Sequence, residues 1–269
     1  MASNPFAEPD QSPAEQGECD DQKEQQRVHE FLDVWDSEKA RQRRIKAVSE
    51  PAGGTYGRCQ DELAPRGFEP LDCGMLLSPV TLEGGRVRLE PLSPAHLSGL
   101  IEVGLAPELW TLTVDRIRTA ADLTRYVERA LADAAAGTAL PFATVWRATG
   151  QVIGSTRFGN YVAAHRRVEI GWTWLAPAWQ RTAANTEAKL LMLGRAFEGA
   201  KLRRVEFKTS TLNLKSRVAL ARLGAVEEGV FRQHMINEDG SNRDSVYFSI
   251  LDGEWPTVRD RLSARLTSG

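Results

Sequence analysis

VEIGWTWLAP (residues 168–177) runs directly into AWQRTAANTEA (residues 178–188), and how this stretch is read decides the fold. The first half is rich in β-branched and aromatic residues and stops at Pro177, which is the signature of a strand. The second half leads into a helix whose apolar stripe holds Leu190, Leu191, Leu193 and Phe197. A strand, a short loop and a helix start make an anion site in physical terms. The unpaired amides of the first turn point outward, and the helix dipole favours negative charge there. Thr182, Asn185 and Thr186 add side-chain donors, and Arg181 adds a cation. No glycine is present in the loop, although a bare backbone approaches an anion most easily. Two readings therefore stand for this stretch alone: a helix entry capped by Asn185 or Thr186, or a phosphate cradle.

Working outward, Val80 and Leu82, the pair Gly84-Gly85, then Val87 and Leu89 predict paired strands around a turn. Ser93-Pro94 starts a helix reaching about Val103, with serine as cap and proline at the first helical position. A second helix fits Thr119 to Ala136. Strands follow at Phe142 to Trp146, Val152 to Phe158 and Arg167 to Leu175. A helix over Asn185 to Gly199, a strand over Arg204 to Thr209 and a helix over Asn213 to Leu223 come next. Strands Glu227 to Met235 and Asp244 to Leu251 flank the turn Asn237-Glu238-Asp239-Gly240, and Pro256 to Leu266 predicts a last helix. This order lacks the strict alternation of a doubly wound fold and implies a mixed α/β sheet with helices on its faces.

Composition narrows the function classes. The chain has 269 residues, 42% hydrophobic and 26% charged, with a net charge of −2. That is ordinary globular composition with no electrostatic case for a nucleic-acid or membrane partner. No apolar run approaches bilayer length, and the N-terminus lacks the start of a signal peptide, so the cytoplasm is the default location. The cysteines, Cys19, Cys59 and Cys73, fall in no metal spacing, and the four histidines are dispersed, so no metal is expected. Character changes near Met75. Residues 1–77 read as a polar extension and linker with one helix at about 20–48, and residues 78–269 as the domain. Met75 opens directly into patterned sequence and is a candidate start. RGFEP at residues 66–70 could be translated from the T-arm of a transfer-RNA gene, so the extension is read as upstream sequence translated in error.

Glu169 lies mid-strand between apolar neighbours, where a charge is costly unless it has a role or a partner. Catalysis as a base and a salt bridge to Arg157, Arg166 or Arg167 are both open readings. Taken with two further motifs, the chain resembles the GNAT superfamily of N-acetyltransferases, most nearly its ribosomal-protein N-terminal acetyltransferase branch. Gln180-Arg181-Thr182-Ala183-Ala184-Asn185 stands where that family has its Q/R-x-x-G-x-G/A loop, and Thr186-Glu187-Ala188 matches the TEA that often follows. Asn213-x-x-Ser216, then Leu223-Gly224-Ala225-x-Glu227-Glu228-Gly229, is similar to the family's N-x-x-S/A helix and LGF-x-x-EG entry. Tyr247 to Leu251 fits the closing strand.

The resemblance covers about Val80 to Leu251 and implies a mainly antiparallel sheet of about seven strands. Its fourth and fifth strands splay into a slot for acetyl-CoA, which is the co-substrate. It implies that residues Gln180 to Thr186 hold the pyrophosphate, and that Asn213 and Ser216 meet the pantetheine. An amide near Trp174 or Leu175 would polarise the thioester, and Glu169 would be the base. The usual tyrosine acid is replaced by Leu220, which leaves Ser216, or else Tyr247, to protonate the thiolate. Trp172, Trp174 and Trp179 crowd this region, mostly as packing residues. Selectivity for the amine acceptor, a protein N-terminus or a small amine, is expected from residues 105–118 and the Met235 to Arg243 turn. The protein is expected to be a monomer or homodimer. Two other classes remain in view: a non-catalytic module that senses acyl-CoA, and an interaction protein that recruits a partner through its N-terminal helix.

Overall fold

The computed structural model describes residues 76–267, so the readings made for residues 1–75 lie outside the described residues. Eight strands form one sheet: β1 (Leu82–Glu83), β2 (Val87–Pro91), β3 (Leu140–Trp146), β4 (Val152–Val162), β5 (Arg167–Leu175), β6 (Arg204–Ser210), β7 (Val226–Ile236) and β8 (Asn242–Leu251). Their order across the sheet is β1-β2-β3-β4-β5-β6-β8-β7. The resemblance implies about seven strands, and the eighth, two-residue β1, is the partner strand that Val80 and Leu82 predict. Every neighbouring pair is antiparallel except β5 and β6.

The helices are α1 (Leu97–Gly104), α2 (Ala120–Ala135), α3 (Ala183–Gly194), α4 (Leu214–Leu223) and α5 (Trp255–Thr267). Alternation along the strands separates the two faces of the sheet. On one face Val168, Ile170, Val205, Phe207, Phe248 and Ile250 join a core with Met192 and Leu193 of α3 and Val258 and Leu262 of α5. On the other face α1 lies against β4 and α2 against β3. Thr119 caps α2 reciprocally: Asp122 N donates to its Oγ1 at 3.2 Å, and Thr119 N donates to the Asp122 carboxylate at 2.9 Å.

Helix α3 begins at Ala183, two residues earlier than the sequence predicts, and neither Asn185 nor Thr186 is its cap. Thr182 takes that place because it alone has the extended backbone a cap requires, and its Oγ1 accepts from Ala184 N at 3.2 Å. Beyond Gly194 the helix widens into a π turn, Arg195–Gly199. Glu187 fixes the helix to the rest of the sheet. Its buried carboxylate accepts from Gly85 N (2.9 Å), Arg86 N (2.7 Å) and Val87 N (2.6 Å) in the β1–β2 turn. A Cβ on Gly84 would stand 2.6 Å from Glu187 Cδ, so the first glycine of the turn is what lets the carboxylate in.

Candidate active site

Strands β5 and β6 pair only over Arg167↔Arg204, Val168↔Val205 and Glu169↔Glu206. Beyond that rung β6 continues against β8, while β5 continues against β4 to Leu175. The two strands therefore part immediately after Glu169 and leave a slot with one free edge of β5. A bulge on β5 accompanies the parting: Ser155 faces Trp174 and Arg157 faces Gly171, so two residues of β5 oppose Thr156. Trp172, inside the bulge, has φ +50°.

Successive residues of a strand turn their amides to opposite edges. Ala176 N donates to Ile153 O of β4 at 2.9 Å, so the Leu175 N–H is directed to the open edge, whereas Trp174 faces β4. Of the two residues proposed from sequence as thioester polarisers, geometry favours Leu175. Trp174 is a core residue, its ring 5.4 Å from that of Trp110. The Leu175 carbonyl accepts from Gln180 Nε2 at 3.1 Å, which ties the loop to the end of the strand and occupies Gln180 with structure.

Past this point the chain makes a 3-10 turn, Pro177–Trp179, and enters α3. Ala183, Ala184, Asn185 and Thr186 form the first turn, so the positions where the family has glycines adopt ordinary helical angles here. The one left-handed residue of the loop is Arg181, φ +60°, which is exposed. Asn185 Oδ1 is buried without a hydrogen-bond partner. A helix N-terminus beside a cation suits a pyrophosphate, whereas the Asn185 oxygen is an acceptor and offers an anion nothing. Across the slot, Asn213 caps α4 and accepts from Ser216 N at 3.0 Å. That uses its Oδ1 and leaves its Nδ2 to donate. Ser216 is half-buried in the same first turn. Leu220 is buried, at the place where a tyrosine acid would stand.

Glu169 is only 3% exposed, and its partners are not the arginines expected from sequence. Asn160 Nδ2 donates to its Oε2 at 2.8 Å, and Lys208 Nζ lies 3.5 Å from the same oxygen. Arg157 pairs instead with Asp133 at 3.1 Å, Arg167 with Glu206 at 2.9 Å, and Arg166 donates to Lys201 O. Rung alignment explains the difference. Lys208 stands on the same face of β6 as Glu169 does on β5, and strand pairing brings them together where sequence distance does not. Near Glu169 are also Tyr247 and His234, whose rings meet at 5.6 Å. Burial, then the neighbouring Glu169 charge, pushes the Tyr247 phenol up. Burial, reinforced by Lys208, pulls the His234 imidazole down, and Glu169 opposes that.

A cavity of about 470 Å³ opens beside the closed end of the slot, lined by Arg167, Arg204, Glu206, Glu228, Phe231 and Tyr247. Two loops meet at the rim of the same face. Glu238 N donates to Val114 O at 3.2 Å, Arg116 N donates to the Glu238 carboxylate at 2.6 Å, and Arg116 pairs with Asp239 at 3.0 Å. These are the two segments from which acceptor selectivity is expected. Trp172 faces this side, 4.8 Å under the Arg157 guanidinium, while Trp179 packs 4.4 Å from Trp146.

The family described as "Acetyltransferase (GNAT) domain" matches residues 86–226, half of the chain. The chain belongs to the GNAT acetyltransferases. A Bacillus subtilis protein named "Putative ribosomal N-acetyltransferase YdaF" is 33% identical over 106 residues, which are 39% of this chain and 57% of that protein. The chain thus spans somewhat more than half the length of that curated relative. A GCN5-related N-acetyltransferase from Brucella melitensis is 33% identical, with a TM-score of 0.65 over 70% of this chain and 85% of its own. The fold alone is shared with Mycobacterium smegmatis RimJ, solved in complex with CoA-disulfide: identity 24%, TM-score 0.60, over 70% of this chain and 96% of that one. Among the described residues, no helix of this GNAT chain is long and apolar enough to cross a membrane.

The sequence points to no site role for Asn160, Lys208 or Lys189, and Arg243 enters it only as the end of the Met235 to Arg243 turn. Asn160, with φ +50°, and Lys208 are held at Glu169 by strand register. Arg243 lies on β8 beyond Tyr247 on the same face. Lys189 of α3 is buried, and its Nζ donates to Thr173 Oγ1 at 2.7 Å and Thr156 Oγ1 at 3.0 Å beneath the β5 bulge. Only Lys189 left a signal: it falls three and four residues before the core residues Met192 and Leu193.

Proposed function

We propose that this chain is an acetyl-CoA-dependent N-acetyltransferase acting on a primary amine, a protein N-terminus or a small amine, by direct attack in a ternary complex. The observation that carries the proposal is the parting of β5 from β6 immediately beyond a buried glutamate, with the Leu175 N–H on the freed edge and the α3 N-terminus at its end. The α3 amides, with Arg181 and Thr186, hold the pyrophosphate. The pantetheine pairs with the free edge of β5 as an added strand would, and Asn213 Nδ2 donates to one of its amide carbonyls.

Glu169 takes the proton that the acceptor's ammonium must lose before its nitrogen can attack the thioester carbon. The Leu175 N–H donates to the carbonyl oxygen as the C–N bond forms, and such a donor is worth about 3 kcal/mol. As the C–S bond breaks, the nitrogen loses its second proton, and Ser216 Oγ relays a proton to the departing sulfur, so that one proton ends on Glu169 and one on the thiol. Lys208 stays against the Glu169 carboxylate and holds it in place for the acceptor. The test is coenzyme A release with amines and N-terminal peptides, comparing the parent with Glu169→Gln. The variant should lose about a hundredfold in kcat, and its pH optimum should move upward. A pH profile identical to the parent's removes Glu169 as the base. Cofactor binding without acceptor-dependent release would turn the assignment to an acyl-CoA sensor.

A further inference from the structure

The face of the sheet that holds Glu169 also carries cations for which the chain supplies too few carboxylates. Register places Glu169, Glu206 and Ser249 on one rung, Lys208 and Tyr247 on the next alternate rung, and Ser210 and Ser245 on the one after. Arg243 precedes Ser245 by two residues on β8 and so projects from the same face. These rungs lie on the parted side of the slot, beyond Glu169.

Charge accounting separates the two halves of this face. On the closed side, Arg167 pairs with Glu206, and Arg204 pairs with both Glu206 and Glu228, so the cavity there is neutralised by its own side chains. On the parted side Lys208 has only Glu169. Arg243 has no ion pair or hydrogen bond among the described residues, and its Nε is buried without a partner. Beside it the Ser245 hydroxyl is fully buried, at 0% exposure, and also has no partner. His234 feels both Lys208 and Arg243 as neighbouring charges. A half-buried guanidinium whose Nε is unspent and a fully buried, unspent hydroxyl are costly unless something completes them. An uncharged ligand would leave the guanidinium with only the Glu169 charge, which it shares with Lys208, whereas a carboxylate accepts from the guanidinium, the hydroxyl and the ammonium together.

We infer that the Arg243–Ser245–Lys208 face binds a carboxylate carried by one of the two reactants, with its reacting end at Glu169. This deepens the transferase assignment and rests on it. An amine acceptor that bears a carboxylate, such as an amino acid or an acidic peptide, presents its amine to Glu169 and its carboxylate to Arg243. A dicarboxylate monoacyl group on coenzyme A would present the same chemistry from the other reactant.

The experiment uses the full chain and matched probes. Amino acids are compared with their amides, and amidated Ala-Asp with amidated Ala-Asn peptides, each with acetyl-CoA. The carboxylate-free amines are then run with acetyl-CoA against succinyl-CoA. Parent, Arg243→Gln and Arg243→Lys are measured for kcat and KM separately. Succinate binding to each protein is followed by calorimetry. The expected result is a preference of about tenfold or more in kcat/KM for the carboxylate-bearing probe. It should be lost in Arg243→Gln, mainly through KM, and partly restored in Arg243→Lys. A preference among acceptors puts the carboxylate on the acceptor, and a preference for succinyl-CoA puts it on the acyl group. Equal use of every matched pair by the parent overturns the inference and leaves the transferase assignment standing. So does a preference that survives in Arg243→Gln. If no amine releases coenzyme A, the assignment itself fails, and succinate binding decides the inference. Binding weakened about tenfold in Arg243→Gln upholds it, and unchanged or absent binding overturns it.

Discussion

Lys189 offers the most discriminating test of the buried polar architecture beneath the slot. Its ammonium sits 4% exposed between α3 and the β4–β5 pair, with two threonine hydroxyls and no carboxylate as hydrogen-bond partners. Burial alone brings its pKa down to about 7. In the unfolded chain the same group titrates near about 10.4. Between these values the unfolded chain keeps a proton that the folded chain has released. Stability contributed by this group is therefore lowest below about pH 7 and rises as pH increases towards about 10. The slope is about 1.4 kcal/mol per pH unit, so moving from about pH 7 to about pH 9 adds on the order of 2 kcal/mol.

Lys189→Met keeps an unbranched chain one atom shorter and removes the titration. Thr156 and Thr173 remain satisfied, since their hydroxyls are 2.7 Å apart. Urea unfolding of parent and variant, followed by tryptophan fluorescence across this range, isolates the group because all other titrations cancel in the difference. The variant should exceed the parent by a few kcal/mol near neutrality, with the gap shrinking by on the order of 2 kcal/mol at about pH 9. A parent–variant difference that stays flat with pH would show that Lys189 keeps an ordinary pKa, and the reading of a buried, unpaired ammonium would be wrong.

Three further outcomes follow from particular contacts. Glu187→Gln leaves a neutral amide where a carboxylate collects three backbone N–H groups, and should cost about 2–4 kcal/mol in urea unfolding; a loss under about half a kcal/mol would refute the anchoring role. Thr182→Ala removes the α3 cap and should cost about 1 kcal/mol while raising the Kd for coenzyme A; unchanged affinity would detach the cap from the cofactor site. Arg116→Ala removes the ion pair that ties residues 105–118 to Asp239 of the β7–β8 turn, together with the guanidinium's hold on Trp110 O, and should raise KM for the amine severalfold without altering that for acetyl-CoA. Equal changes in both constants would contradict an acceptor-side role for that rim.

Much of the scaffold was legible in the chain. Alternation marked β5 and β8, Ser93-Pro94 and Thr119 marked helix starts, and two short motifs carried the resemblance that gave the splayed sheet. These signals are local, because propensity, capping and periodicity act over a few residues. The cap of α3 was misplaced at Asn185 or Thr186 because several residues in that loop are chemically able to cap. Only the backbone angles chose Thr182. The partner of Glu169 was sought among nearby arginines, yet it came from β6, some forty residues on.

The sequence alone thus determined the elements, their order and the loop that precedes α3. Tertiary structure decided which charges meet: Lys208 and Asn160 at Glu169, Glu187 at the β1–β2 turn, and Arg243 and Ser245 left unspent on the open face. It also decided that Leu175, not Trp174, turns its amide to the slot. The physical reason is that strand register and edge direction are set by hydrogen bonding between segments far apart in the chain. A residue's own neighbours carry no record of them.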